Sequence, residues 1–124
     1  MIGIQQTLQI HKILIEQYGG SFGLRDKEGL DAALARPFQT FDNKELYPSG
    51  VDKAAAIIQS IVTNHPFIDG NKRTGYVLMR LLLMENQIDI MAEEDEKYAF
   101  VIQISEGKLN IDQIKDWINR KVKH

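Results

Sequence analysis

Ile4, Leu8, His11, Ile15 and Tyr18 recur at steps of three and four residues, a spacing that predicts an amphipathic helix with these five on its inner stripe and Gly19-Gly20 as its stop. Leu24 to Ala35 reads as a second helix, ended by Pro37, which disfavours helical geometry at Arg36. Residues 37–50, PFQTFDNKELYPSG, have no helical period, and their aromatics flank Asp42-Asn43, so an extended flap or short hairpin is expected there. Ser49 and Asp52 have the spacing of a capping box ahead of Ala55, Ile58, Ile61 and Val62. That third helix must stop by Asn64 or His65, because Pro66 follows. After Gly70 comes the most apolar stretch, Tyr76 to Met79 and Leu81 to Met84, and a helix apolar nearly all round belongs at the buried centre. Glu93 to Ser105 reads as a further helix with acidic residues in its first turn, closed by Gly107. Asn110 can cap the last one, whose inner stripe is Ile111, Ile114, Trp117, Ile118 and Lys121. No β-branched run alternates long enough to found a sheet, and there are no repeats or low-complexity linkers. The pattern predicts one all-α domain over residues 1–124, about six helices with a short extended flap before the central motif.

Composition narrows what such a domain can do. A chain of 124 residues can bury one core but not a separate regulatory domain, so regulation is expected from another chain. With 15 Lys and Arg against 17 Asp and Glu, the net charge of −2 gives no global pull toward nucleic acid or an anionic membrane. Any anion must be gripped locally. There is no cysteine, which excludes disulfide and thiolate chemistry. The first twenty residues lack the features of a signal peptide, and the apolar run from Val77 to Met84 is broken by Arg80 and too short to span a bilayer. A cytoplasmic protein with neither nucleic acid nor membrane as partner is expected.

The candidate chemistry lies in residues 64–75, NHPFIDGNKRTG, at the junction of two helical patterns. Free N–H groups and the positive end of the dipole make a helix start an anion site, and a glycine there lets a phosphate approach the backbone. Gly70, Asn71, Lys72 and Arg73 sit at that point. Arg73 offers a planar fork and Lys72 a point charge, a pair suited to a polyphosphate. Asp69 would repel such an anion unless a cation lay between them, which makes it a candidate ligand for Mg²⁺. His65 titrates near neutrality and could take a proton from an attacking hydroxyl. Together these are the parts of a nucleotide-dependent transferase site: base, metal, phosphate cradle. An Asp-Gly-Asn turn with two solvated cations is also an ordinary helix connection. The stretch is not a Walker A loop, since both its spacing and its strand are missing. His11 and His124 have no ligand spacing to His65, which argues against zinc, and His11 on its apolar stripe reads as a satisfied core histidine, with Trp117 likewise core.

HPFIDGNKRTG resembles the signature of the Fic/Doc family, His-x-Phe-x-Asp/Glu-Gly/Ala-Asn-Gly/Lys-Arg, and YGGSFGLRDKEGLDAALARPFQTF with ELYPSGVDKAAAIIQSIVTNHPFIDGNKRTG is similar to its death-on-curing (Doc) branch across nearly the whole chain. The resemblance implies a small helical fold of this length. It implies His65 as the catalytic base, Phe67 as the loop's anchor in the core, Asp69 as the Mg²⁺ ligand, and Gly70, Asn71, Lys72 and Arg73 as the anion hole for ATP. Residues 38–47 become the flap that lines up a target peptide as an added strand.

Two departures bear on the reaction. Adenylylating members have glycine where Lys72 stands and a second arginine where Tyr76 stands. The Doc-like pattern implies a nucleotide held in the opposite sense, with its γ-phosphate toward the nucleophile, and so a protein Ser/Thr kinase acting on a translation factor such as EF-Tu. The alternatives are AMP transfer to a protein hydroxyl and a non-catalytic nucleotide-binding regulator. The family's inhibitory motif, Ser/Thr-x3-Glu-Gly/Asn, is not evident: ahead of Glu28-Gly29, Glu85-Asn86 and Glu106-Gly107 the Ser/Thr positions hold Leu24, Leu81 and Ile102. Inhibition in trans by a Phd-like antitoxin is therefore expected.

Overall fold

A computed structural model describes residues 1–123; His124 lies outside them. Six α-helices follow one another: α1 (Ile4–Tyr18), α2 (Lys27–Ala35), α3 (Gly50–Asn64), α4 (Asn71–Glu85), α5 (Glu94–Ser105) and α6 (Ile111–Arg120). The only named strands among the described residues are β1 (Thr40–Phe41) and β2 (Lys44–Glu45), an antiparallel pair with Thr40 opposite Glu45 and Phe41 opposite Lys44. The all-α reading with a short flap therefore holds.

Local chemistry accounts for most helix ends. Ser49 and Asp52 form the expected capping box, with Asp52 N–H donating to Ser49 Oγ at 3.0 Å and Ser49 N–H to Asp52 Oδ2 at 3.1 Å. Asn110 caps α6 in the same way through Gln113. Asp42 and Asn43 both take positive φ, 54° and 63°, the turn that suits a two-residue hairpin.

Three expectations are corrected. The second helix begins at Lys27, not Leu24: Asp26 caps it, and Leu24 instead pairs as an isolated bridge with Phe67. Arg36 stays helical (φ −51°, ψ −45°) despite Pro37, and the chain runs straight into a 3-10 turn over Arg36–Phe38. Its guanidinium explains this, since it donates to Tyr47 Oη, Ala56 O and Ser60 Oγ and so fixes the turn against α3. The buried centre is α3, not α4. Nine residues of α3 are buried, and α3 packs against α2, α4, α5 and α6. Only one face of α4 is covered, by Thr74, Leu78, Met79, Leu82 and Leu83, while Met84 is exposed and Tyr76, Val77 and Arg80 line a cleft.

On α6, Ile114 and Ile118 are fully buried, and Trp117 is half-buried, stacked on Phe100 with centroids 3.8 Å apart. It is core, as expected. The links α1–α4 and α3–α4 bring the start of the chain to the turn between α3 and α4, and the candidate site is built there.

Candidate functional site

The connection from α3 to α4 is held from several sides. His65 ends α3 in the left-handed conformation (φ 50°, ψ 58°), which turns the chain out of the helix just before Pro66. Phe67 is 1 % exposed, and its ring stacks on that of His11. Both main-chain groups of Phe67 are taken by one side chain: Phe67 N–H donates to Asn71 Oδ1 and Asn71 Nδ2 donates to Phe67 O, each at 2.9 Å. Asn71, expected to face an anion, is thus a buried clamp that closes the loop. Residues before α2 tie the outer side. Arg25 and Asp26 N–H donate to Pro66 O, Ile68 N–H donates to Gly23 O, and the Arg25 guanidinium donates to Asn64 O and His65 O.

His11 is 4 % exposed, and its Nε2 lies 2.8 Å from Asp69 O. A carbonyl only accepts, so Nε2 carries the proton. The core reading of His11 holds, and the ring also fixes the loop between α3 and α4.

Asp69 is exposed, and its carboxylate is oriented by the backbone. Oδ1 accepts from Gly70 N–H at 2.9 Å and Oδ2 from Ser21 N–H at 3.1 Å. Gly20 makes room for this: a Cβ on it would lie 2.6 Å from Asp69 Oδ2. Each oxygen has acceptor capacity left. No cluster of three or more His, Cys, Asp or Glu side chains fit for a metal occurs among the described residues. One oriented carboxylate is a poor cage for a tightly held metal but fits Mg²⁺, which takes one or two carboxylates and completes its shell with phosphate oxygens and water. Asp69 is the residue that would hold it, and the ion's contribution would be to neutralise phosphate charge.

Gly70 precedes α4 in the left-handed conformation (φ 76°) and gives no side-chain cap, so the N–H groups that open the first turn of α4 have no intrahelical partner. A side chain there would press on Ile15 Cδ1 at 3.1 Å. Lys72 and Arg73 are exposed. The Arg73 guanidinium lies 4.1 Å from the centroid of the Tyr18 ring. Tyr18, expected on the inner stripe of α1, is 58 % exposed and serves as a platform for this arginine.

A cleft of about 680 Å³ joins these groups, lined by His65, Asp69, Gly70, Lys72 and Arg73 at one end and continuing between α4 and α5. Its charged side chains are Lys72, Arg73, Arg80 and Lys97 against Asp69 and Glu94, a local excess of two positive charges in a chain whose net charge is −2. The His65 ring has no hydrogen-bond partner among the described residues and lines the cleft. The arrangement can hold a phosphate at the start of α4, with a carboxylate for its metal on one side and an imidazole on the other.

Periodicity alone did not assign Gly20, Tyr18, Tyr76, Arg80 and the α5 wall to the site. The YGG triplet held the first two of these, but their service to Asp69 and Arg73 depends on a contact across about fifty residues. The hairpin expected to present a target lines no part of the cleft, and its side chains Phe41 and Leu46 are exposed. Among the described residues no helix is long and apolar enough to cross a membrane.

Comparison with known proteins agrees with this geometry. A model of the Fic/DOC family matches residues 2–83. The chain is 42% identical over 78 residues to a protein named Toxin Doc from Mycolicibacterium smegmatis (strain ATCC 700084 / mc(2)155). That stretch covers 63% of this chain and 60% of the relative, so the match spans less than two thirds of the relative's length.

Proposed function

The chain belongs to the Fic/DOC family, and from that premise we propose that it is the toxin of a toxin–antitoxin pair, a protein kinase that moves the γ-phosphoryl group of ATP to a Ser or Thr hydroxyl of a translation factor such as EF-Tu. The observation that carries the reading is the meeting of His65, Asp69 and the first turn of α4 in one cleft with a local excess of positive charge. The target hydroxyl oxygen attacks the γ-phosphorus, the bond from that phosphorus to the β–γ bridging oxygen breaks, and ADP leaves. His65 takes the hydroxyl proton. The first-turn N–H groups, Lys72 and Arg73 hold the oxygens of the transferred phosphate, and Asp69 would hold a Mg²⁺ ion that would supply charge neutralisation there. Catalysis of this kind is chiefly positioning and electrostatics.

Lys72 favours phosphate over AMP as the transferred group, because its side chain occupies room at the anion site that glycine leaves open. Control is in trans. The exposed residues Ile68 and Tyr98, which line the cleft, offer a Phd-like antitoxin an apolar foothold beside the loop. The exposed hairpin of residues 38–47 offers its backbone to the target peptide.

The test is the intact mass of EF-Tu after incubation with this protein, ATP and Mg²⁺, with His65→Ala as control, repeated on whole lysate. A gain of one phosphate that His65→Ala abolishes supports the kinase reading. A gain of one AMP replaces it with nucleotidyl transfer. No modified protein in either sample, with wild type and His65→Ala alike, leaves a non-catalytic regulator as the better description.

A further inference from the structure

Two arginines line the cleft, and they are held in different ways. Arg80 Nη2 donates to Asp89 Oδ1 at 2.9 Å, an ion pair that occupies donors and offsets the charge. The Arg73 guanidinium has neither a hydrogen-bond acceptor nor a carboxylate partner among the described residues. It lies instead over the ring of Tyr18, with Cζ 4.1 Å from the centroid.

The difference matters for an anion. A guanidinium is flat, and its five N–H donors point outward in its plane. An aromatic ring attracts the cation through its face and occupies no donor. A carboxylate in the same place would take two of the donors and cancel the charge that a phosphate needs. Tyr18 therefore holds Arg73 while leaving both its donors and its charge for a ligand. Packing does not explain where the ring sits, because Tyr18 is 58 % exposed while His11 and Ile15 of the same helix are buried.

The chain places the ring there by ending α1 at that point. Tyr18 is the last residue of the helix, and Leu14, one turn earlier on the same face, lines the cleft beside it. Gly19 and Gly20 follow with φ of 86° and 114°, and this turn brings Ser21 N–H to Asp69 Oδ2 at 3.1 Å. Residues 18–21 thus contact both the free cation and the carboxylate of the site.

We infer that Tyr18 is a positioning residue of the phosphate site: its ring fixes the guanidinium of Arg73 in advance, so that the arginine donors meet the phosphate oxygens with less side-chain freedom left to lose. This rests on the phosphate-binding reading above and deepens it by naming a residue of α1, outside the loop, on which that binding depends. The ring acts through its face, so the hydroxyl is dispensable. No covalent step is involved.

The test is calorimetric titration of the full chain with tripolyphosphate and Mg²⁺, comparing wild type, Tyr18→Leu and Tyr18→Phe. Tyr18→Leu is expected to bind about two- to fivefold more weakly, and Tyr18→Phe, which keeps the ring face, to stay within about twofold of wild type. Both variants should melt with the wild type, since the side chain is largely exposed. In an Arg73→Gln background, where Lys72 and the first-turn N–H groups remain, Tyr18→Leu is expected to cause no further loss, an outcome that a merely structural role for the ring would not give. Where that background binds too weakly to read, Tyr18→Phe decides. Unchanged affinity in Tyr18→Leu overturns this inference alone. So does an equal loss in Tyr18→Phe, which would assign the effect to the hydroxyl, or a loss that persists in Arg73→Gln. Failure of the wild type to bind tripolyphosphate overturns the phosphate reading and this inference with it.

Discussion

The ring of His11 lies face to face on that of Phe67, with centroids 3.8 Å apart and planes 7° from parallel. The same imidazole donates through Nε2 to Asp69 O, two residues further along. One core side chain of the first helix thus fixes both the anchor of the loop and the main chain that carries its carboxylate.

His11→Phe keeps a ring on Phe67 and removes the donor, leaving Asp69 O unpaired in a tight site. The unfolding free energy in urea is expected to drop by about 1–2 kcal/mol, and phosphate transfer to fall further than the folded fraction does. Equal stability for the two proteins would show that the carbonyl finds water instead.

Gly20→Ala puts a methyl group 2.6 Å from Asp69 Oδ2, at a φ of +114° that alanine adopts reluctantly. We expect a loss of about 1–2 kcal/mol from backbone strain and a higher Mg²⁺ requirement for transfer, because the carboxylate must move. An Mg²⁺ titration of activity that superimposes on the wild-type curve would separate Gly20 from the proposed metal site.

His65 occupies a left-handed conformation that a glycine takes without strain. His65→Gly should abolish transfer yet leave the unfolding free energy unchanged or raised by up to about 1 kcal/mol, with the thermal midpoint no lower. A large fall in the midpoint would mean that the imidazole contributes packing of its own.

Asp52 joins two helices. It closes the capping box of α3 and accepts from Lys115 of α6 at 2.7 Å. Burial raises its carboxyl, but hydrogen bonds from Lys115 and Ser49 outweigh it and hold the group below its ordinary value of 3.8. The unfolded chain therefore binds this proton more tightly than the folded one. The contribution is present above the unfolded value and is lost as pH falls through the folded one. Asp89 and Glu96, held low by hydrogen bonds from Arg80 and Lys121, act in the same direction. Asp52→Asn should lower the melting temperature at neutral pH by about 4 °C, for about 1 kcal/mol of cap, and make the acid limb of the stability profile shallower. A profile parallel to that of the wild type would mean the carboxyl titrates alike in both states.

What was legible in the sequence was local. The capping box at Ser49, the cap at Asn110, the Asp42-Asn43 turn and the stop at Gly107 each depend on residues within four positions, and each stands where the pattern puts it. The outcomes that differ depend on partners far along the chain. Leu24 leaves the helix because Phe67 pairs with it, Arg36 stays helical because Tyr47 and Ser60 hold its guanidinium, and Tyr18 is exposed beneath Arg73. The site follows the same division. The motif residues could be named in order, but the clamping role of Asn71 and the bond from His11 required the loop's shape.

The bonds that organise the loop reach back 58 residues to His11 and 48 to Ser21, whereas α3 and α4 are neighbours in the chain. Loop and core therefore differ in cooperativity. Undocking of α1, a peripheral helix with three buried residues, would release Asp69 and Phe67 while the pair α3–α4 stayed folded, so the geometry of the candidate site is a property of the first helix's attachment. On gradual heating or in denaturant, activity should disappear before helical content does, and the interval between the two curves would measure how loosely that helix is moored.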